Sequence, residues 1–139
     1  MDKLEYIPVD LVMTKTEPND FTPNGVVCEF VSYCNRNKVF VRVAKGIDTF
    51  FLEKEQITPI PLTPEILEKN GWYGATHSKQ SDTTKILYKT FKRKGYPTIK
   101  ASQDLKITCE LSPFIVKLES VSDLQHLLFG LELNSEMEV

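Results

Sequence analysis

The sequence predicts an α+β fold with an antiparallel sheet in each half, and three observations lead to this prediction. The first sixty residues contain short apolar runs separated by hairpin-length turns. Pro59, Pro61 and Pro64 then interrupt the chain, and a leucine stripe of helical period lies near its end. We therefore expect a small barrel-like unit of SH3 or OB type in residues 1–61. Residues 62–139 are expected to form a short linker helix and an antiparallel sheet covered by one amphipathic helix.

Strand patterns dominate the N-terminal part. Four apolar runs have the composition of strands: residues 6–13, 26–34, 39–44 and 47–52. The last three are separated by two to four residues, which suits hairpins. In the third run Val39, Val41 and Val43 alternate with Phe40 and Arg42, which is the period of a half-buried strand. One face of this sheet is therefore predicted to be core.

The proline segment marks the boundary between the two parts. Proline lacks a backbone donor and has a fixed φ, so Pro59 and Pro61 cannot lie inside a central strand. Thr63 is suited to cap a helix that has Pro64 at its first position. Gly71 follows the last turn of that helix. A helix of about two turns is therefore predicted between the two halves.

Short strands and one long helix are predicted after the boundary. Residues 74–84 are rich in glycine, threonine and serine, so we expect an exposed loop there. Strand patterns follow in three runs: residues 85–92, 96–101 and 105–117. Ser112 and Pro113 are expected to interrupt the last run.

The predicted terminal helix is amphipathic. Ser122 and Gln125 have the spacing of a capping box. Four leucines recur on one face of this helix: Leu124, Leu127, Leu128 and Leu131. Residues 134–139 are read as a short acidic tail.

Composition limits the compartment and the class of protein. The 139 residues are 41% hydrophobic and 26% charged, and no apolar run approaches the roughly 18 residues of a membrane helix. The N-terminus lacks the pattern of a secretory signal, so we expect a cytoplasmic protein with no membrane partner. Cys28, Cys34 and Cys109 form no Cys-x-x-Cys pair, which favours reduced thiols, with Cys28 and Cys109 buried.

Recognisable catalytic and metal-binding patterns are absent from the sequence. His77 and His126 have no second His or Cys at metal-ligand spacing. His77 adjoins Ser78, but no strand-turn-helix elbow surrounds that serine. No phosphate-binding glycine loop is present either. We therefore predict a protein that is not an enzyme and uses no metal or cofactor.

The candidate site is a cationic segment with interleaved aromatic residues. Lysines neutralise phosphates and aromatic rings stack on bases, so this composition suits a nucleotide or a single strand. The candidate binding residues are Trp72, Tyr73, Lys85, Lys89, Phe91, Lys92, Arg93, Lys94, Tyr96 and Lys100. Two alternatives stay open: residues 92–95 form an ordinary solvated turn, or the basic segment meets the acidic tail of a second copy.

Two segments carry a resemblance to known proteins. Residues 57–72 contain Ile-Pro-Leu-Thr-Pro-Glu-Ile-Leu-Glu-Lys-Asn-Gly, and residues 121–129 contain Leu-Gln-x-Leu-Leu-Phe. In these segments the chain resembles small uncharacterised proteins of phages and mobile elements from gut Bacteroidales, over less than a quarter of its length. Ser122 stands where that group often has histidine. The resemblance implies an origin and an architecture but no catalytic residue.

Three hypotheses of function follow. The first is a non-catalytic phage or mobile-element accessory protein that acts by binding in the cytoplasm of the bacterial host. It would inhibit host defence by occupying a host protein or by sequestering an anionic nucleotide ligand. The alternatives are a nucleic-acid-binding regulator and a minor virion component.

Overall fold

The structure is a computed structural model that describes residues 6–18, 20–80, 85–102 and 106–139. The chain divides into two compact units, Met1–Ile60 and Pro61–Val139. Each unit contains a five-stranded antiparallel sheet, and α-helices occur in the second unit. The predicted α+β class is confirmed.

The first unit is an open antiparallel sheet. Its strands are β1 (Leu11–Thr14), β2 (Val27–Tyr33), β3 (Lys38–Val43), β4 (Thr49–Glu53) and β5 (Ile57–Pro59). They lie in the order β4-β3-β2-β1-β5, and a 3₁₀ turn over Lys54–Gln56 precedes β5. Among the residues described, no pairing of β4 with β5 closes a barrel. Pro59 ends an edge strand, where a missing N–H is tolerated.

The core of the first unit lies on the face predicted from alternation. Val39 and Val41 are fully buried, and Val43 packs against the same cluster. Phe30, Leu52 and other apolar residues complete it. This burial confirms the prediction for β3. The prediction succeeded because the apolar residues repeat with the period of a pleated strand.

Two of the three cysteines are core residues, as predicted. Cys28 in β2 and Cys109 in the second unit are fully buried, whereas Cys34 is exposed. Burial disfavours the charged thiolate, so it raises the pKa of Cys28 to about 11 and also raises the pKa of Cys109. Both side chains therefore serve as small apolar residues.

The second unit is a sheet with two helices. Its elements are α1 (Pro64–Lys69), β6 (Tyr73–Gln80), β7 (Lys85–Lys92), β8 (Ile99–Ser102), β9 (Ile107–Leu111), β10 (Phe114–Lys117) and α2 (Val121–Gly130). The strands follow the order β10-β9-β8-β7-β6, with Ser112 and Pro113 in the turn between β9 and β10. Leu124 and Leu128 of α2 are fully buried, as the leucine stripe predicted, whereas Leu131 is exposed.

The loop predicted for residues 74–84 is wrong over residues 74–80, which belong to β6. Residues 81–84 lie outside the part that the structure describes. Gly74 is paired directly with Phe91, and a Cβ at Gly74 would lie 2.8 Å from Cε1 of the Phe91 ring. This glycine therefore makes room for a core aromatic ring, a role that composition alone does not distinguish from a loop.

The N-terminal caps of the two helices agree only in part with those predicted from the sequence. Thr63 caps α1 as predicted, because its Oγ1 accepts a hydrogen bond from the Ile66 N–H at 3.3 Å. The cap of α2 is Ser120, not Ser122: the Ser120 hydroxyl accepts from the Asp123 N–H, and the Asp123 carboxylate accepts from the Ser120 N–H, each at 3.1 Å. The predicted box was two residues late.

The C-terminal residues are attached to α1 and do not form a free acidic tail. The Asn70 amide donates to the Glu138 carbonyl and accepts from the Glu138 N–H, both at 2.7 Å. Met137, which precedes Glu138, is buried. This two-way amide pairing fixes the segment beside the end of α1.

Candidate functional site

Strand register brings residues from all five strands of the second unit onto one face. Direct antiparallel partners lie on the same face of a sheet. One row of such partners crosses the whole sheet: Ala75, Thr90, Lys100, Thr108 and Lys117. Every residue of this row is exposed or half-buried.

We call the face that carries this row the lysine face. Its described residues are Tyr73, Ala75, Tyr88, Thr90, Lys92, Lys100, Ser102, Lys106, Thr108, Glu110, Ile115 and Lys117. Five residues of opposite parity on the central strands β7, β8 and β9 are buried: Phe91, Ile99, Ala101, Ile107 and Cys109. Lys89 of β7 and Phe114 of the edge strand β10 share that parity but are exposed. The sheet thus has one core face and one face toward solvent.

The lysine face is cationic. Lys92, Lys100 and Lys117 are exposed, and none forms an ion pair within the described part of the chain. Lys100 and Lys117 are two strands apart, about 10 Å by strand spacing. Glu110 is the one acid among the described residues of this face. Such lysines can neutralise successive phosphates of an anionic ligand.

Apart from Glu110, the described acids of the second unit lie elsewhere. They occur on α1, at the start of α2 and in the segment after α2: Glu65, Glu68, Glu119, Asp123, Glu132, Glu136 and Glu138. Asp82 and Asp104 lie outside the described residues. The near-neutral average charge of the chain therefore conceals a separation of cations on the sheet from anions on the helices and C-terminal segment.

Two predicted binding aromatic residues are core residues. Trp72 is only 1% exposed, and its indole N–H donates to the Pro97 carbonyl at 3.4 Å. Phe91 is fully buried on the core face of β7. Neither ring is accessible for stacking on a ligand, so both are removed from the candidate site.

Arg93 and Tyr96 form a structural cluster with Trp72. The Arg93 guanidinium carbon lies 4.0 Å from the centroid of the Tyr96 ring and 5.0 Å from that of Trp72. The Tyr96 ring meets Trp72 edge-on, with 5.4 Å between centroids. Stacking of this kind uses the face of the guanidinium. Arg93 therefore covers the tryptophan. Its guanidinium stabilises the β7–β8 turn through these ring contacts, and we do not assign it to ligand binding.

Three predicted lysines are placed away from the lysine face or lie outside the description. Lys89 is exposed but has the opposite strand parity from Lys92. Lys94 is exposed in the turn that Gly95 closes with a φ of +81°. Lys85 lies on β7, and its side chain is outside the described residues, as are those of His77 and Ser78 on β6. Of the predicted set, the lysine face keeps Tyr73, Lys92 and Lys100.

Lys106 and Lys117 were not among the predicted site residues. Lys117 lies in the acid-rich part of the sequence that begins at Glu110, and Lys106 lies outside the basic segment that ends at Lys100. A signal was present in the alternation of Lys106, Thr108 and Glu110 along one strand. The order of the strands in the sheet was not available from periodicity, so the row itself could not be predicted.

Comparisons with protein-family models, with curated proteins and with solved structures find no match to this chain. Within the described ranges, no group of three or more His, Cys, Asp or Glu side chains is placed to hold a metal ion. No helix of the described chain has the length and apolar character needed to cross a bilayer.

Proposed function

We propose that this protein is a non-catalytic binding protein that holds an anionic polymer, a nucleic acid, on the lysine face. The supporting observation is the row across five strands that contains Lys100 and Lys117, with Lys92 beside it. Sites for single nucleotides are usually concave, whereas this surface is an open sheet face. An extended ligand with repeated phosphates fits such a surface better than a free nucleotide does.

This proposal favours one of the hypotheses drawn from the sequence. Nucleic-acid binding on the sheet agrees with the nucleic-acid-binding regulator, and it is compatible with an accessory role in a phage or mobile element. Sequestration of a mononucleotide and a virion role gain no support from the open face. The binding residues we propose are Lys92, Lys100 and Lys117, with Tyr73 beside Lys92.

A protein with an acidic surface is the second candidate. Tyr73 and Ile115 are 80% and 70% exposed and lie on the two edge strands of the same face. Exposed apolar side chains of this kind are common in protein interfaces. The partner could be a host protein, or a second copy that presents its acidic helices, which would make the protein a homo-oligomer.

Salt dependence separates these candidates. If three lysines contact phosphates of a single strand, affinity should fall about tenfold to twentyfold between about 50 and about 200 mM salt, because bound counterions are released. Fluorescence anisotropy of a labelled oligonucleotide measures this slope. An oligonucleotide affinity that does not change with salt, or no binding at the lower salt concentration, would contradict the proposal.

A further inference from the structure

We infer that the ligand of the lysine face is a single strand and not a duplex, and that Tyr73 is the platform on which one of its bases stacks. This inference rests on the proposed function and specifies its ligand. Tyr73 is paired directly with Lys92, so an exposed ring and an exposed cation stand side by side on the same face. Stacking on an aromatic ring beside a phosphate-binding lysine is the usual arrangement in single-strand sites.

The backbone of Tyr73 is held in place although its side chain is exposed to solvent. The preceding residue, Trp72, is buried under Arg93 and Tyr96, so the backbone at the start of β6 is anchored. The ladder with β7 continues this anchoring along the strand. Ala75, the next residue of β6 on the lysine face, is small, and the Tyr73 ring is 80% exposed. A rigid backbone with an uncovered ring lowers the entropy cost of stacking.

Tyr88 has a different role on the same face. Its ring is half-buried, and the Lys100 ammonium lies 4.3 Å from the ring centroid. This cation–π contact occupies the ring and holds the ammonium near the middle of the sheet. Tyr88 is therefore a positioning residue for Lys100. Among the described residues of this face, Tyr73 is the exposed ring on which a base can stack.

The geometry favours a single strand over a duplex. In a duplex the base faces are stacked on each other and are not accessible to Tyr73. The major groove of a duplex admits a helix or a two-stranded ribbon, whereas this site is the face of a five-stranded sheet. From Tyr73 on β6 to Lys117 on β10 the face spans four strand spacings, about 20 Å. A single strand that crosses the strands can place a base on Tyr73 and phosphates on the lysines.

Tyr73→Ala tests the inference with three labelled probes: a thymidine oligonucleotide, the same strand without bases, and a duplex of equal length. The wild-type protein should bind the thymidine strand more tightly than the duplex. Tyr73→Ala should weaken binding of the thymidine strand about tenfold and leave binding of the abasic strand unchanged, since stacking needs a base. Tyr73→Phe keeps the ring and should retain the wild-type affinity.

The outcomes distinguish this inference from the proposed function. Equal affinity of Tyr73→Ala and wild type for the thymidine strand would overturn the stacking role, while loss of binding in a lysine variant would leave the proposed function intact. Binding of the duplex as tight as that of the single strand would overturn the choice of ligand. If no probe binds the wild-type protein, the inference and the proposed function fail together.

Discussion

Replacing Lys92, Lys100 and Lys117 together with glutamine is expected to lower the affinity for a single-stranded oligonucleotide about a hundredfold at about 0.1 M salt. Glutamine keeps most of the length of lysine and removes its charge, so the phosphates lose three cationic partners. The slope of log affinity against log salt should fall by about two, because each single-strand phosphate contact contributes about 0.7. Anisotropy titrations at several salt concentrations measure both quantities.

A matched triple variant serves as the control. Lys15, Lys89 and Lys94 are exposed lysines outside the lysine face, so their replacement by glutamine removes the same net charge. This variant should keep its affinity within about threefold, since lysines that contact no phosphate act only through a field that salt screens. Equal losses in the two variants would show that net charge, and not the arrangement on the sheet, determines binding.

Trp72→Ala is expected to cause the largest loss of stability among single changes in the second unit. The indole is 1% exposed, and the change removes its contacts with Tyr96 and Arg93 and its hydrogen bond to the Pro97 carbonyl. Truncation of a buried tryptophan costs about 3–5 kcal/mol, a large part of the free energy of unfolding of a domain. Thermal and denaturant unfolding followed by circular dichroism measure the loss.

The adjacent residue provides the control for this change. Tyr73 is 80% exposed, so Tyr73→Ala should alter the free energy of unfolding by no more than about 0.5 kcal/mol. Trp72→Phe, which keeps an aromatic ring but loses the indole N–H, should lie between the two. If Trp72→Ala unfolds at the wild-type denaturant concentration, the cluster around Trp72 does not support the fold.

Local sequence signals predicted much of the fold because several elements follow from neighbouring residues. Val39 and Val41 revealed the core face of β3 by their period, and Thr63 and Pro64 revealed the start of α1. The strand β6 was missed because Gly74 favours a loop by composition. The structure shows another reason for a glycine at this position, which is the Phe91 ring opposite it. That neighbour is known only once the register is known.

The candidate site was only partly predictable for the same reason. The cationic segment led to Tyr73, Lys92 and Lys100, but sequence proximity also included Trp72 and Phe91, which are buried. Exposure and burial of neighbouring aromatic residues depend on which face of the sheet each occupies. Lys117 joins the site through two further strands, and pairing between distant strands has no local signal.

Amide chemical shifts measured during titration with a single-stranded thymidine oligonucleotide test the claim that the lysine face is the binding surface. Saturable shifts should concentrate at the row across the sheet and beside it: Tyr73, Ala75, Thr90, Lys92, Lys100, Thr108 and Lys117. Residues 6–60 of the first unit should change little. Shifts concentrated in the first unit, or on α1 and α2 with the lysine face unaffected, would contradict the claim.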